Sequence, residues 1–284
     1  MITQHSLARI VRNAFIYAFL TIGAISMVLP FLWMLSTSLK SYASVFIFNV
    51  NQIQWLPSPV YWGNYINVWK VVPFAWFYFN SLFVCAAVTV AQVLTSAMAA
   101  YSFSRLKFPG REKIFFSYLA TMMIPASVTL IPVFVLMRVF GWIDTYKALI
   151  IPAAFSAYGT FMLRQFFMTI PRDLEDAAKI DGCSYGGIFV RVILPLSKTA
   201  LATLTVFVAL GNWVSFMWPL LVTNSVEKRT LPVGLAYFQE LYQYAQPDWG
   251  LLMAGSLVTM VPVMIIFIFS QKFFVEGIKL TGMK

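Results

Sequence analysis

The stretch PRDLEDAAKIDGCSYGGIFVRVILP, from Pro171 to Pro195, decides how this chain is read. It is a charged, helix-competent segment set between long apolar runs. Pro171 suits the first turn of a helix, where its missing N–H has no partner to lose. Asp173, Glu175 and Asp176 follow in the turns where acids complement the helix dipole. Gly182 suits a left-handed C-cap. A second short helix, about Ser184 to Val192, then runs to Pro195. The pattern predicts a helix–turn–helix lying on or below a membrane surface. Within it stand Asp176-Ala177-Ala178, three further residues, Gly182, nine more, and Val192-Ile193-Leu194-Pro195. A connector between two spans needs no such spacing, whereas a docking site for a soluble partner would use it. Ala177 and Ala178 leave a low profile for a close-approaching surface, and Asp176 and Asp181 offer carboxylates to partner arginines. A helix resting on lipid would carry Lys and Arg on its polar face and bulky apolar residues opposite; acids and alanines argue against it.

The surroundings of this island are those of a membrane protein. The 284 residues are 60% hydrophobic and 11% charged, with a mean hydropathy of +0.78, against about 25% charged in soluble domains. The charges cluster between apolar runs of roughly 20 residues, the length that crosses about 30 Å of hydrocarbon. The short alternating strands of a β-barrel do not occur. The expectation is an all-α polytopic membrane protein with six transmembrane helices, near Ala14–Ser36, Phe77–Phe103, Ile114–Arg138, Thr145–Phe166, Thr199–Val222 and Leu251–Gln271. The first apolar stretch is too long for a signal-peptide core and lacks a small-residue cleavage site, so it reads as a retained span. The domain plan is a tail over 1–13, a membrane domain over 14–271 with outer loops at about 37–76 and 223–250 and the polar loop at 171–195, and a tail over 272–284.

Orientation follows from Lys and Arg. With both termini inside, 14 of the 20 basic residues fall on the inner side, including Arg9, Arg12, Arg105, Lys107, Arg172 and Lys179. The outer side holds Lys40, Lys70, Arg138, Lys147, Lys228 and Arg229. This bias puts both termini and the polar island in the cytoplasm. The net charge of +10 is therefore topological, and the absence of a basic run interleaved with aromatics argues against nucleic acid. Cys85 and Cys183 are too few and too far apart for a metal set or disulfide framework. His5, the only histidine, stands in the N-terminal tail, which leaves histidine catalysis no place. Pro30, Pro125, Pro132, Pro152, Pro219 and Pro262 fall within spans, where each removes a helical hydrogen bond and invites a kink. Pro125 and Pro132 mark a span that could bend around a pathway.

On these residues the chain resembles the inner-membrane permease subunits of ATP-binding-cassette importers. Their signature is Glu-Ala-Ala, three residues, Gly, nine residues and Ile-x-Leu-Pro; here Asp176 replaces the Glu and Val192 the Ile, while Ala177, Ala178, Gly182, Leu194 and Pro195 match outright. Asn80-Ser81-Leu82, the loop Ala99–Arg111, Gly141-Trp142-Ile143-Asp144-Thr145, Phe161–Phe167 and the tail Phe274-Val275-Glu276-Gly277 with Thr281-Gly282-Met283-Lys284 are similar to the smaller permease of the carbohydrate, maltose-type branch. The resemblance covers about Ala14 to the C-terminus. It implies the type I importer permease fold with a cytoplasmic coupling helix at 171–195. It implies a second permease subunit, a cytoplasmic ATPase dimer that binds ATP-Mg, an extracytoplasmic solute-binding protein and a carbohydrate substrate. Asp176 then pairs with an ATPase arginine, Asp181 belongs to the same coupling surface, and the tail at Glu276, Gly282 and Lys284 reaches the ATPase. The implied location is the cytoplasmic membrane of a prokaryote, amid its lipid.

Other readings bound this one. No Gly-rich phosphate loop is present, so the chain needs no cofactor of its own and is expected to be a non-catalytic subunit. No acid or base lies deep in a span, against a proton- or sodium-driven carrier. A non-sugar cargo such as a polyol or a glycerol phosphate derivative remains open, since such motifs report coupling better than cargo; a stand-alone carrier or channel would not need the acidic element. In the fifth span the family's Trp-Asn-acid-Phe becomes Trp213-Val214-Ser215-Phe216. Asn212 lies one residue before Trp213, about 100° round an ideal helix. Asn80, Gln92, Ser96, Asn212 and Ser215 are the polar residues in spans, and helix–helix bonding suffices for them; substrate-binding residues are unknown.

Overall fold

In a computed structural model of the protein, residues 2–42, 55–241 and 248–281 are described, with side chains over 9–42, 55–238 and 248–271. These residues are helical with no strand. Helix α1 (Ile2–Ser38) is followed by α2 (Gly63–Val71), α3 (Phe74–Arg105), α4 (Arg111–Ala120), α5 (Ala126–Val139), α6 (Tyr146–Ile150), α7 (Ala157–Thr169) and α8 (Asp173–Ile180). Next come α9 (Tyr185–Leu196), α10 (Lys198–Trp213), α11 (Met217–Val222), α12 (Leu231–Leu241) and α13 (Trp249–Thr281).

Among the described residues three helices are long and apolar enough to cross a membrane: Arg9–Ser38, Phe74–Arg105 and Trp249–Gln271. Pro30 and Pro262 sit inside unbroken helices. The three remaining expected spans are interrupted. Ile114–Arg138 breaks at Ile124, which is extended before Pro125 as pre-proline sterics demand, and its halves bend by 101°. Thr145–Phe166 breaks around Pro152, after which Ser156 caps α7 by accepting the Gly159 N–H at 3.0 Å. Thr199–Val222 stops at Trp213 and resumes at Met217. Counting each of two bent pairs as one span, Arg111–Met123 with Ala126–Val139 and Tyr185–Leu196 with Lys198–Trp213, the latter bent by 80°, would raise the total among the described residues to five.

The chain divides into two compact units, Met1–Val72 with Tyr237–Val258, and Pro73–Ala236 with Thr259–Lys284. In the first, Asn64 is buried and its Nδ2 donates to the carbonyls of Ser38 and Lys40, both at 2.8 Å. This closes the end of α1, whose last carbonyls lack helical partners. Between Phe15 and Leu32, α1 exposes large apolar side chains, Phe15 by 73% and Met27 by 74%, a surface suited to hydrocarbon and not to water.

The second unit holds a core in which α3, α7 and α10 pack together. Val88, Ala100, Leu163, Phe167 and Leu204 are fully buried there. Close approach depends on Gly159: a Cβ at that position would lie 2.6 Å from Ser96 Oγ and 3.3 Å from Leu204 Cδ1. Helix α3 has 32 residues, about 48 Å at 1.5 Å per residue. That exceeds the roughly 30 Å hydrocarbon thickness of a bilayer.

Candidate functional site

The polar element folds as two helices around a glycine turn. The amide of Cys183 donates to Ala178 O at 2.9 Å and that of Gly182 to Lys179 O at 3.0 Å, the paired bonds of a Schellman cap. Gly182 has φ 79°, a conformation that costs a residue with Cβ. Ser184 caps the next helix by accepting the Gly187 N–H at 3.2 Å. That helix is less regular than expected: Phe189–Ile193 is a π-helical stretch inside α9, continuing to Leu196.

Helix α8 is two-faced. Glu175 and Ala178, three residues apart, are buried, whereas Asp176, Ala177, Ile180 and Asp181 are exposed, Ile180 by 87%. The expectation that Ala177 and Ala178 both clear room for a partner is therefore corrected. Ala178 packs into the core with Ile188 and Ile193, and only Ala177 lies on the open face. Of the remaining signature residues, Leu194 is half-buried and Pro195 exposed. Asp176 accepts a hydrogen bond from Lys179 Nζ at 2.8 Å. That bond and the ammonium charge hold the Asp176 carboxyl below its ordinary value of 3.8 and raise Lys179.

The inner face of α8 meets Arg105. Its Nε lies 2.9 Å from Glu175 Oε1, with the two side chains only 3% and 7% exposed; the contact is an ion pair without the alignment of a straight hydrogen bond. Nη2 of the same guanidinium donates to Ile170 O at 2.7 Å and to Phe167 O. Phe167 and Ile170 close the end of α7, where carbonyls lack helical partners and a cation is favoured by the dipole. One side chain at the end of α3 thus holds the end of α7 and the start of α8. Tyr101, one turn earlier, donates to Tyr185 O at 3.1 Å and packs on Phe189 with centroids 5.1 Å apart. Neither Arg105 nor Glu175 was expected in this role, although Arg105 stands two residues past the second predicted span.

A second feature lies at the helix breaks. A cavity of about 290 Å³ is lined by Ala126, Thr129, Leu130 and Val133 on one face of α5, and by Asn212, Ser215, Trp218 and Pro219 around the α10–α11 break, together with Ser81 and Thr230. Asn212 and Trp213 both fall in the last turn of α10, and because the helix ends at Trp213, Asn212 and Ser215 line the same cavity. Asn212 Nδ2 donates to Val208 O at 2.9 Å. Thr230 is 4% exposed, and its hydroxyl has no protein partner.

Two clasps hold that end of the unit. Asn80 Nδ2 donates to Glu227 O at 2.7 Å and Arg229 O at 2.9 Å, while Tyr146 donates to Asn80 Oδ1 at 2.7 Å. Ser81 Oγ accepts the Leu231 N–H at 2.7 Å. Asp144, at φ 61° in the turn after α5, accepts through Oδ1 from Asn224 N at 2.9 Å and from Ser225 N and Oγ at 3.0 Å. Burial pushes this carboxyl up, but the bonds from Ser225 and Asn224 with the charge of Lys228 outweigh it and hold it below 3.8. In the C-terminal tail, Gly282 and Lys284 lie outside the described residues; Glu276 falls within α13, its side chain outside them.

These features define a polytopic helical membrane protein with broken inner spans and a structured polar helix–turn–helix element. Residues 92–280 match the family described as binding-protein-dependent transport system inner membrane component, and the chain belongs to that family of permeases. It is 36% identical over 229 residues to the arabinooligosaccharides transport system permease protein AraQ of Halalkalibacterium halodurans, covering 80% of this chain and 81% of that one. It is 32% identical to the sn-glycerol-3-phosphate transport system permease protein UgpE of Yersinia enterocolitica, covering 78% and 81%. Among solved structures, a bacterial ABC transporter involved in the import of the acidic polysaccharide alginate superimposes with a TM-score of 0.82 at 26% identity, covering 93% of this chain and 96% of that one.

Proposed function

We propose that this chain is the permease subunit of an ATP-driven importer that carries a carbohydrate, in the first place an oligosaccharide, across the cytoplasmic membrane by alternating access. A separate ATPase dimer docks on the Pro171–Pro195 element, a second permease subunit completes the pathway, and an extracytoplasmic binding protein delivers the solute. The chain itself performs no chemistry on ATP.

The observation that carries this reading is the two-faced α8: an acidic and apolar surface of Asp176, Ala177, Ile180 and Asp181 left open, on a helix whose other side is fixed into the core. A segment needed only as a connector would not expose Ile180 beside a carboxylate. The carbohydrate assignment is supported by the arabinooligosaccharide and alginate relatives. The cavity at the two helix breaks, with its hydroxyls and amide, suits a neutral polyhydroxylated solute better than an ion. The sn-glycerol-3-phosphate relatives favour a second reading, a phosphorylated polyol on the same machinery.

Reconstitution of the chain with its partner permease, ATPase and binding protein tests both. ATP-dependent uptake of labelled arabino-oligosaccharide or another oligosaccharide into proteoliposomes, inhibited by excess unlabelled sugar and not by glycerol 3-phosphate, is the expected result. Uptake of glycerol 3-phosphate alone would select the second reading, and uptake with no ATPase present would overturn both.

A further inference from the structure

We propose that the buried Arg105–Glu175 pair is the joint through which movement of α8 reaches the long helix α3 and the helix α7 packed against it, which makes both residues positioning residues for coupling. This rests on the reading of α8 as the ATPase-docking helix.

Two adjacent acids on α8 have opposite fates. Asp176 is 62% exposed and bound only to Lys179 of its own helix. Glu175, about 100° round the same helix, is 7% exposed and bound to α3. A buried ion pair adds little net stability over apolar residues of the same size, because desolvation offsets most of its attraction. What it supplies is directionality: one register in which both charges are satisfied. Arg105 is further committed by its bonds to Phe167 O and Ile170 O. Its planar fork can hold the α7 carbonyls and the α8 carboxylate together, which a lysine ammonium on a flexible stem does not reproduce. A pull on the open face of α8 is resisted on the closed face by Glu175, so the load passes to the ends of α3 and α7. Packing of Ala178, Ile188 and Ile193 alone would permit sliding; an ion pair 2.9 Å long does not.

The test uses the complete transporter in proteoliposomes, measuring solute imported per ATP hydrolysed together with recovery of the assembled complex. Glu175→Gln keeps the shape of the side chain and Arg105→Lys keeps the charge. Both are expected to assemble, with transport per ATP lowered about tenfold, while Glu175→Asp retains most of it. A purely structural pair would lower the amount of complex and leave the ratio unchanged; that result overturns the joint. A second arm leaves the Arg105–Glu175 pair unaltered. Nitroxide labels at Met98→Cys on α3 and Leu174→Cys on α8, which is exposed and outside the open face of Asp176, Ala177, Ile180 and Asp181, in a Cys85→Ala, Cys183→Ser background, are expected to keep one distance with and without trapped nucleotide. A shift of several ångströms would show that α8 moves independently of α3 and would overturn the proposal. Absence of any ATPase from the purified wild-type complex would instead overturn the docking role of α8, a separate outcome.

Discussion

Arg105 and Glu175 stand 70 positions apart in the chain, yet Nε and Oε1 are 2.9 Å apart, with the two side chains only 3% and 7% exposed. The two partners are unequally supported. Arg105 has the Phe167 and Ile170 carbonyls as well, whereas Glu175 depends on Arg105. Arg105→Ala is therefore expected to destabilise more, by about 3–5 kcal/mol, the usual loss when a buried charge is stranded. Glu175→Ala leaves Arg105 hydrogen-bonded and is expected to cost about 1–3 kcal/mol. Thermal unfolding of the purified protein in detergent checks the order; equal losses would show that the carbonyl bonds contribute nothing.

Lys179 competes with any outside cation for Asp176, since Nζ already lies 2.8 Å from Oδ1. Lys179→Met removes the competitor and leaves α8 its shape. A two- to threefold gain in ATPase retention on the permease is expected, measured by co-purification at increasing salt. Unchanged retention would mean that the Asp176 carboxylate is not the group the ATPase engages.

Asp144 ties the turn after α5 to Asn224 and Ser225 by three bonds to one oxygen. Its carboxyl titrates below 3.8 in the folded chain. The folded state is thus favoured wherever the unfolded carboxyl would be ionised, above that ordinary value. The contribution is lost as pH falls from there through the lower folded value. Asp144→Ala removes the bonds and puts an alanine at φ 61°, at a cost of about 2–3 kcal/mol. Asp144→Asn keeps an acceptor oxygen, tolerates the backbone conformation and loses less. Melting temperatures of wild type and Asp144→Asn are expected to converge below pH 4; a constant gap down to pH 3 would count against the carboxylate's role.

The contact of Gly159 with Ser96 gives a compensation test. A Cβ there would displace the Ser96 hydroxyl, 2.6 Å away, and crowd Ser96 Cβ at 3.2 Å and Leu204 Cδ1 at 3.3 Å, so Gly159→Ala is expected to cost about 1–3 kcal/mol. Ser96 Oγ has no protein partner, so Ser96→Gly sacrifices no protein hydrogen bond. The double variant is expected to recover most of the loss in a thermal melt. Additive losses would place the strain elsewhere.

Much of this could be read from sequence because it is local. The Gly182 turn, the acids opening α8 and the continuous apolar runs of α1, α3 and α13 follow from neighbours a few residues apart. The broken spans were only half legible. Pro125, Pro152 and Pro219 flagged irregularity, but hydropathy cannot distinguish a kink from the 101° bend at Ile124, because both halves remain apolar. The facing of α8 was not legible at all: Glu175 and Asp176 are adjacent acids, and which one turns inward is set by Arg105, fixed at the end of α3. Likewise Asn80 was recognisable as a motif residue, yet its partners are backbone carbonyls at Glu227 and Arg229, which side-chain patterns do not encode.

The central claim is that ATP-driven force enters this permease through α8 and its glycine turn. Asp176→Lys with Gly182→Pro reverses the open charge and forbids the left-handed turn, while leaving every membrane-spanning helix untouched. Solute uptake by cells or proteoliposomes carrying this double variant, compared at matched membrane insertion, is the direct measurement. Uptake reduced at least tenfold, with normal insertion, is the predicted result; uptake at the wild-type rate would contradict the claim.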